Sequence, residues 1–417
     1  MFGKASILMI VGFGLIFMIA GYNYSLYMIR AVDNMVDYHE LTIVHNIAVS
    51  GANIAASNLF FNKTWTPGTT YQNVALGDGS FTITLTDTLV NKKIIRSTGS
   101  YNGITKTITL MLQPSNFAKF GNFYNVFGAA AATGDTFSGH FHANDYCRVY
   151  GDPVFLGKTT CKSGLLKTYN PSNPTFLGGF ESGVNIPLEF DTSGLRVNAM
   201  TNGKLFKGPS TKTFSDVDLT FLADGDVIYR YRYGSSSTVW DAWSAYDTVP
   251  LTTLAPNGII FAEKGNITMK GVLNGQATVV ATQKGSTAMG SVFLTDDIVY
   301  SSDPRTNPAS TDMLGIIGEK KVEVTFDNSR GDINIQASIY AQKDGLSIAS
   351  YSSYSGVSNM NLLGGIIAQQ TKATATYSGA NPTNGYRFVH KFDERFLVTV
   401  PPNFPNTRFF EVVSWLE

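Results

Sequence analysis

No charged residue lies between Lys4 and Arg30. The intervening ASILMIVGFGLIFMIAGYNYSLYMI runs for about 25 residues, and at about 1.5 Å per helical residue it outreaches a hydrocarbon core of about 30 Å. The segment predicts a transmembrane helix. A cleaved secretory signal would need a basic start and a small-x-small cut site, and Met18-Ile19-Ala20 is a poor match to one. Lys4 and the chain terminus put the N-terminus in the cytoplasm by the positive-inside rule. The bulk of the chain is then expected on the far side of a cell-envelope membrane, periplasmic or extracellular.

The helical pattern continues past the membrane. From Ala31 to Asn62 there is no proline, and Val36, Ile43, Ile47 and Ile54 recur at spacings of seven and four. One helix is expected over residues 1–62, with Ala48, Gly51, Ala52, Ala55 and Ala56 as a stripe that admits a close neighbour. That neighbour is either the chain's own sheet or, in addition, another subunit of a filament. Residues 63–115 then read as a small antiparallel meander: FTITLTDTL (81–89), KKIIRSTGSY (92–101) and ITKTITLMLQP (104–114), the last two joined by an Asn102-Gly103 turn. On the pattern I-x-S-x-G-x-x-x-G, here Ile95, Ser97, Gly99 and Gly103, residues 3–114 resemble the PilX-like minor pilins of the type IV pilin superfamily. The resemblance implies a prepilin-type cut after Gly3, leaving Lys4 first, and partners among other pilin-like subunits or the pilus assembly machinery. Pilins of this kind carry a glutamate at the fifth mature position, where this chain has Leu8. A minor or tip subunit is therefore implied, with an uncleaved signal anchor as the other outcome.

Residues 116–417 carry a different signal. Apolar pentads recur at Ile259, Val279, Ile298, Ile316, Ile339 and Ile366, in steps of about 20, 19, 18, 23 and 27 residues. Stacked coils of short strands would bury a continuous Ile/Val core, so the expected fold class is α+β then all-β: a pilin-like helix and sheet followed by a right-handed parallel β-helix. An antiparallel sandwich is the alternative. The pattern Gly139, Phe141-His142, Asn144, Asp152-Pro153-Val154-Phe155 and Gly157 resembles the first coils of membrane-anchored proteins with pilin-like N-termini. Residues 180–250, with Trp240, Trp243 and the Tyr229–Tyr233 run, break the period and are expected as an insertion. Residues 392–396, Pro401-Pro402-Asn403-Phe404-Pro405 and Trp415 resemble a closing cap.

Charged residues make up only 15% of the chain and sum to zero net charge, which argues against nucleic acid as a partner. His140, His142, Asp145 and Cys147 are the densest set of potential metal ligands; a hydrogen-bonded turn is the plainer reading. Cys147 and Cys161 would close a bridge across one coil, worth about 3 kcal/mol in a chain-entropy account. Asp296-Asp297 is the carboxylate pair to test for glycoside hydrolysis, but adjacent strand residues face opposite sides. Gly-x-Ser-x-Gly, His-Glu-x-x-His, phosphate-loop and dinucleotide patterns do not occur. The sequence points to a non-enzymatic surface protein without a cofactor. The alternative is a carbohydrate-binding or carbohydrate-active head facing surface polysaccharide, with Tyr351, Tyr354 and Tyr377 as its aromatics.

Overall fold

The computed structural model describes residues 2–87, 92–168, 171–188, 192–326, 331–378 and 381–417. The chain divides into two compact units, Met1–Pro114 with Arg408–Glu417, and Ser115–Thr407.

In the first unit a single helix, α1 (Phe2–Phe61), runs without a break. Its large apolar side chains face outward as far as Leu41, as at Phe17 and Met35. Beyond that point Val44, Ala48, Ala52, Ala55 and Leu59 form one fully buried face. They lie on a five-stranded sheet: β1 (Val74–Leu76), β2 (Gly79–Asp87), β3 (Lys93–Tyr101), β4 (Ile104–Asn116) and, as fifth, Asn406–Leu416. β1 to β4 pair antiparallel in chain order. The strand expected over 81–89 ends at Asp87; residues 88 and 89 lie outside the described ones.

The spacing of Ile95, Ser97 and Gly99 has a steric reason. All three face α1, and side-chain size falls toward Gly99, where an added Cβ would meet Val44 O at 2.6 Å and Ala48 N at 2.8 Å. Asn102 and Gly103 take left-handed φ of 49° and 80° in the tight turn to β4. Residues 408–417, including Trp415, were expected in a cap over the coils. They belong instead to this unit, where Phe409 stacks on Phe60 at 5.1 Å and Gln113 Nε2 donates to Glu411 Oε1 at 3.2 Å.

The second unit is β-rich, and most of its pairings are parallel. One column runs through Lys204–Phe206, Ile259–Ala262, Gln276–Ala281, Met313–Gly318, Ile333–Ala341 and Val357–Gln370. It continues through Phe120–Val126, His140–Ala143, Thr159–Cys161 and Phe180–Ser182. Spatial order is therefore not chain order. An early block (120–182) and a late block (204–391) each stack internally, and they join where Phe120–Val126 pairs with Val357–Gln370.

All the pentads but that of Ile298 are strands of this column, and the register shifts one of their positions. Ile260, not Ile259, pairs with Val279, and the line continues through Ile316, Ile339 and Ile366. Ile298 lies in another strand, Ser291–Tyr300, opposite Gly271 and Ile335. The first discrepancy arises because Ile259–Ala262 is buried on both faces, so the pattern does not reveal which face turns inward; Ile298 also points inward, but in a different ladder. Ile260, Val279, Ile316, Ile339 and Ile366 point into the stack. Ile259, Phe261, Val280, Ile317 and Tyr340 point out of it and are covered by Phe392, Phe396 and Phe404. The segment expected to close the end of the stack thus lies along its side.

The region expected as an insertion is partly column. Lys204–Phe206 and Phe214–Phe221 extend the parallel ladders, and only Asp226–Gly234 and Asp247–Pro250 leave them, as an antiparallel extension. Ala375–Ser378 and Asn381–Lys391 form a second antiparallel pair, so the sheets are mixed.

Candidate functional site

The apolar helix is the first functional element. Among the described residues it is long and apolar enough to cross a membrane. Gly3 and Lys4 sit in its first turn. One helix thus has two surfaces, an outward apolar one over residues 7–29 and a small-residue one committed to the sheet of its own unit.

The histidine cluster is a structural knot. His142 is fully buried; its Nε2–H donates to Asn144 Oδ1 at 2.9 Å and its Nδ1 accepts from Thr160 Oγ1 at 2.7 Å. With both ring nitrogens occupied, and burial lowering its pKa to about 4, this imidazole stays neutral and offers a metal nothing. His140 is exposed on the same strand, and Asp145 pairs with Arg148. Among the described residues, no group of three His, Cys, Asp or Glu is placed to hold a metal ion. Cys147 and Cys161 are buried free thiols that project into the same core, and burial pushes the Cys147 thiol up to about 12.

The carboxylate pair is built into the ladder. Asp296 and Asp297 lie where the ladder slips between Met269 and Gly271. Asp297 accepts from the backbone and side chain of Asn334 at 2.8 and 2.9 Å, and Asn334 Oδ1 accepts from Asn361 Nδ2 at 3.1 Å. This is a lateral ladder that ties neighbouring coils. Of the three tyrosines, Tyr351 and Tyr354 pack on the core, with the Tyr354 hydroxyl donating to Ala349 O. Tyr377 alone is exposed.

Tyr377 stands at the rim of a cavity of about 450 Å³ that opens where the two blocks meet. Two three-stranded ladders of the early block end at Ala131–Ala132 and Thr136–Phe137, and no strand of the late block continues either. The gap is floored by Phe127, Phe137, Leu346, Met360 and Phe388. Its polar groups are tied down: Thr371 Oγ1 accepts from Gly128 N and Ala129 N, Asp135 from Ala132 N, and Lys372 pairs with Asp344. The lining is an apolar bed without a paired nucleophile and base.

Sequence reasoning missed the order in the Trp/Tyr segment. Arg230 lies between Trp243 and Tyr246, 4.6 and 4.5 Å from the ring centres, and Arg232 between Trp240 and Trp243, at 5.0 and 4.4 Å. Asp218 and Asp216 on the neighbouring strand hold the two guanidiniums. The interleaved ladder fastens residues 240–246 to the hairpin. The signal was present as R-Y-R followed by aromatics every third residue.

No family model and no curated protein matches the sequence. Among solved structures, the competence-associated pilin ComZ from Thermus thermophilus is similar over 89% of this chain and 96% of that one, with 12% identity and a TM-score of 0.30. A likeness that loose assigns no role to any residue here.

Proposed function

We propose that this chain is a membrane-anchored, pilin-like surface subunit, a minor component of a pilus or secretion apparatus, whose second unit is displayed for assembly or adhesion. The observation that carries the reading is the division of α1: an outward apolar stretch over residues 7–29, then a segment with Arg30, Asp33, Asp37 and Glu40, and beyond it a buried face of Val44, Ala48, Ala52, Ala55 and Leu59 on the small sheet. A plain signal anchor needs only the first. On this reading the N-terminus is cytoplasmic, the second unit is non-enzymatic, and its stacked ladders are the coils of a right-handed parallel β-helix with antiparallel extensions.

A minor role follows from Lys4 and Leu8. After a cut behind Gly3, each copy would bring an ammonium group into a helix bundle where a like neighbour offers Leu8 and no carboxylate. Burying an unpaired charge costs several kcal/mol, on the order of 3–5. Self-polymerisation is disfavoured, while a single copy beside a carboxylate-bearing subunit is not. The test is surface display of wild type and Gly3→Leu in cells with and without pilus machinery, alongside the mature N-terminus by mass spectrometry. Display should fall in Gly3→Leu only when the machinery is present. Indifference to both would leave a signal anchor, and spontaneous filaments of purified protein would sink the minor-subunit reading.

A further inference from the structure

Along one corner of the column the strands lead into polar turns, and a lysine of one coil meets a carboxylate of the adjoining coil. Lys284, after Gln276–Ala281, lies 2.5 Å from Glu263, after Ile259–Ala262. Lys343, after Ile333–Ala341, lies 2.9 Å from Glu319, after Met313–Gly318. Lys372, after Val357–Gln370, lies 2.6 Å from Asp344 of the coil before. Between Gln276–Ala281 and Met313–Gly318 a neutral residue stands in, Gln283, whose backbone N–H donates to Glu319, and at the far end the alternation breaks outright. Lys264 holds the turn after Ile259–Ala262, and the adjoining strand is Lys204–Phe206. Phe206 pairs with Ala262, so the residue level with Glu263 is Lys207, where the pattern calls for a carboxylate.

The break opens a cavity of about 320 Å³, lined by Lys207, Ser210, Thr213, Glu263, Lys264 and Lys284 among others. Lys264 Nζ donates to Thr213 Oγ1 at 3.3 Å and stands 4.1 Å over the Phe214 ring. Glu263 is buried, which by itself would raise its pKa, but Arg196 and Lys284 hold the carboxyl below its ordinary value. It stays ionised and is already matched. Three lysines against one glutamate leave the lining positive on a chain of zero net charge.

The backbone marks the same place. Lys264 and Lys284 take left-handed φ of 49° and 39°, a conformation costing a non-glycine residue roughly 1–2 kcal/mol. The other non-glycine residues there, among those described, are Asn73, Asn102, Ser350 and Asn403. Strain of this kind gathers at ligand clamps.

We propose that this pocket binds an acidic sugar, whose carboxylate supplies the missing rung between Lys207 and Lys264 and whose hydroxyls meet Ser210 and Thr213. Its volume lies within the ~300–1,000 Å³ of small-molecule sites. A nucleic-acid strand fits poorly, because the pocket gathers its charge at one point and its lining carries no aromatic side chain for a base to stack on. The site is independent of the subunit role above and is tested separately from it.

Full-length protein in a sugar-free polyoxyethylene detergent is titrated calorimetrically with D-galacturonate, galactose, inorganic phosphate, polygalacturonate and a single-stranded oligonucleotide. Galacturonate should bind one-to-one, weaken with added salt and leave galactose far behind. Lys207→Gln and Lys264→Gln should each weaken it about tenfold or more, while Lys167→Gln, an exposed lysine of the early block, should not. Lys207 is exposed, so its replacement does not endanger the fold. Tighter binding of polygalacturonate assigns the site to a polysaccharide, and binding of the monomer alone assigns it to a free sugar acid; both support the proposal. Phosphate binding as well as galacturonate, the oligonucleotide binding more tightly through the same lysines, or galacturonate binding that ignores Lys207 would each overturn it.

Discussion

Mild acid should loosen the joint between the two blocks. His390 donates from Nε2 to Gly364 O at 3.0 Å, and its Nδ1 accepts from Asn122 Nδ2 at 3.1 Å, which ties Asn381–Lys391, Val357–Gln370 and Phe120–Val126 together. The Asn122 amide is fixed in that sense because its Oδ1 accepts from Tyr124. A proton on His390 Nδ1 would therefore face an N–H. On the next strand, the His142 ring packs on Phe123, tilted by 34° at 4.8 Å between ring centres. Burial lowers both pKa values from 6.5 to about 4. The unfolded chain takes up these protons near 6.5 and the folded chain does not, so the neutral forms stabilise the fold fully above 6.5, and stability is lost as pH falls from 6.5 toward 4. By about pH 5 the loss is roughly 2 kcal/mol per histidine, about 4 for the pair. That is a large share of a typical ~5–15 kcal/mol. Urea unfolding in detergent, followed by near-ultraviolet circular dichroism at about pH 7.5 and pH 5, reads it directly. His390→Gln should halve the difference between the two midpoints. Equal midpoints at both pH values, or a full difference in the His142→Gln/His390→Gln double variant, would refute the reasoning.

Three further outcomes are expected. Gly99→Ala drives a methyl into Val44 O and Ala48 N, and should lower stability of the first unit by about 1–3 kcal/mol, whereas Gly103→Ala, with open space around it, pays only a backbone strain; equal melting shifts would contradict the close helix–sheet approach. Leu15→Asp should cost about 2.5–3.5 kcal/mol of membrane insertion, and wild-type fractionation with membranes would remove the spanning assignment. Ile366→Asp buries an unpaired charge beside Ile339 and should abolish cooperative unfolding of the second unit, read from Trp240 and Trp243 fluorescence; an unchanged transition would take residue 366 out of the core.

What the sequence could and could not disclose follows from the range over which each signal acts. The Asn102-Gly103 turn, the small stripe of α1 and the pentads are local patterns, and they were legible. Register is not local: Ile259 and Ile260 are equally apolar, and only the neighbouring coil decides which one points inward. The order of the blocks is also hidden, because nothing near Phe123 says that its strand lies beside Ile367. The lysine pocket escaped for the same reason. Lys207, Lys264 and Lys284 have unremarkable surroundings in the chain, and their meaning appears only when the coils are stacked and the carboxylates of the corner are matched one by one. His140, His142, Asp145 and Cys147 show the converse, a dense cluster whose members are each taken up by other partners or by burial, His142 by Asn144 and Thr160 and Asp145 by Arg148.

The fifth strand of the small sheet comes from residues 406–416, and Gln113 and Glu411, which meet across it, stand 298 residues apart. Until those residues are in place, β4 has a bare edge, and bare edges invite pairing with other chains. Any product that stops within the second unit lacks this strand and exposes the Phe60 face that Phe409 covers. The sheet is therefore a structure of two distant stretches of chain, and its fifth strand depends on residues far from the other four. The first unit is complete only once the whole of residues 115–407 has been threaded between its two parts.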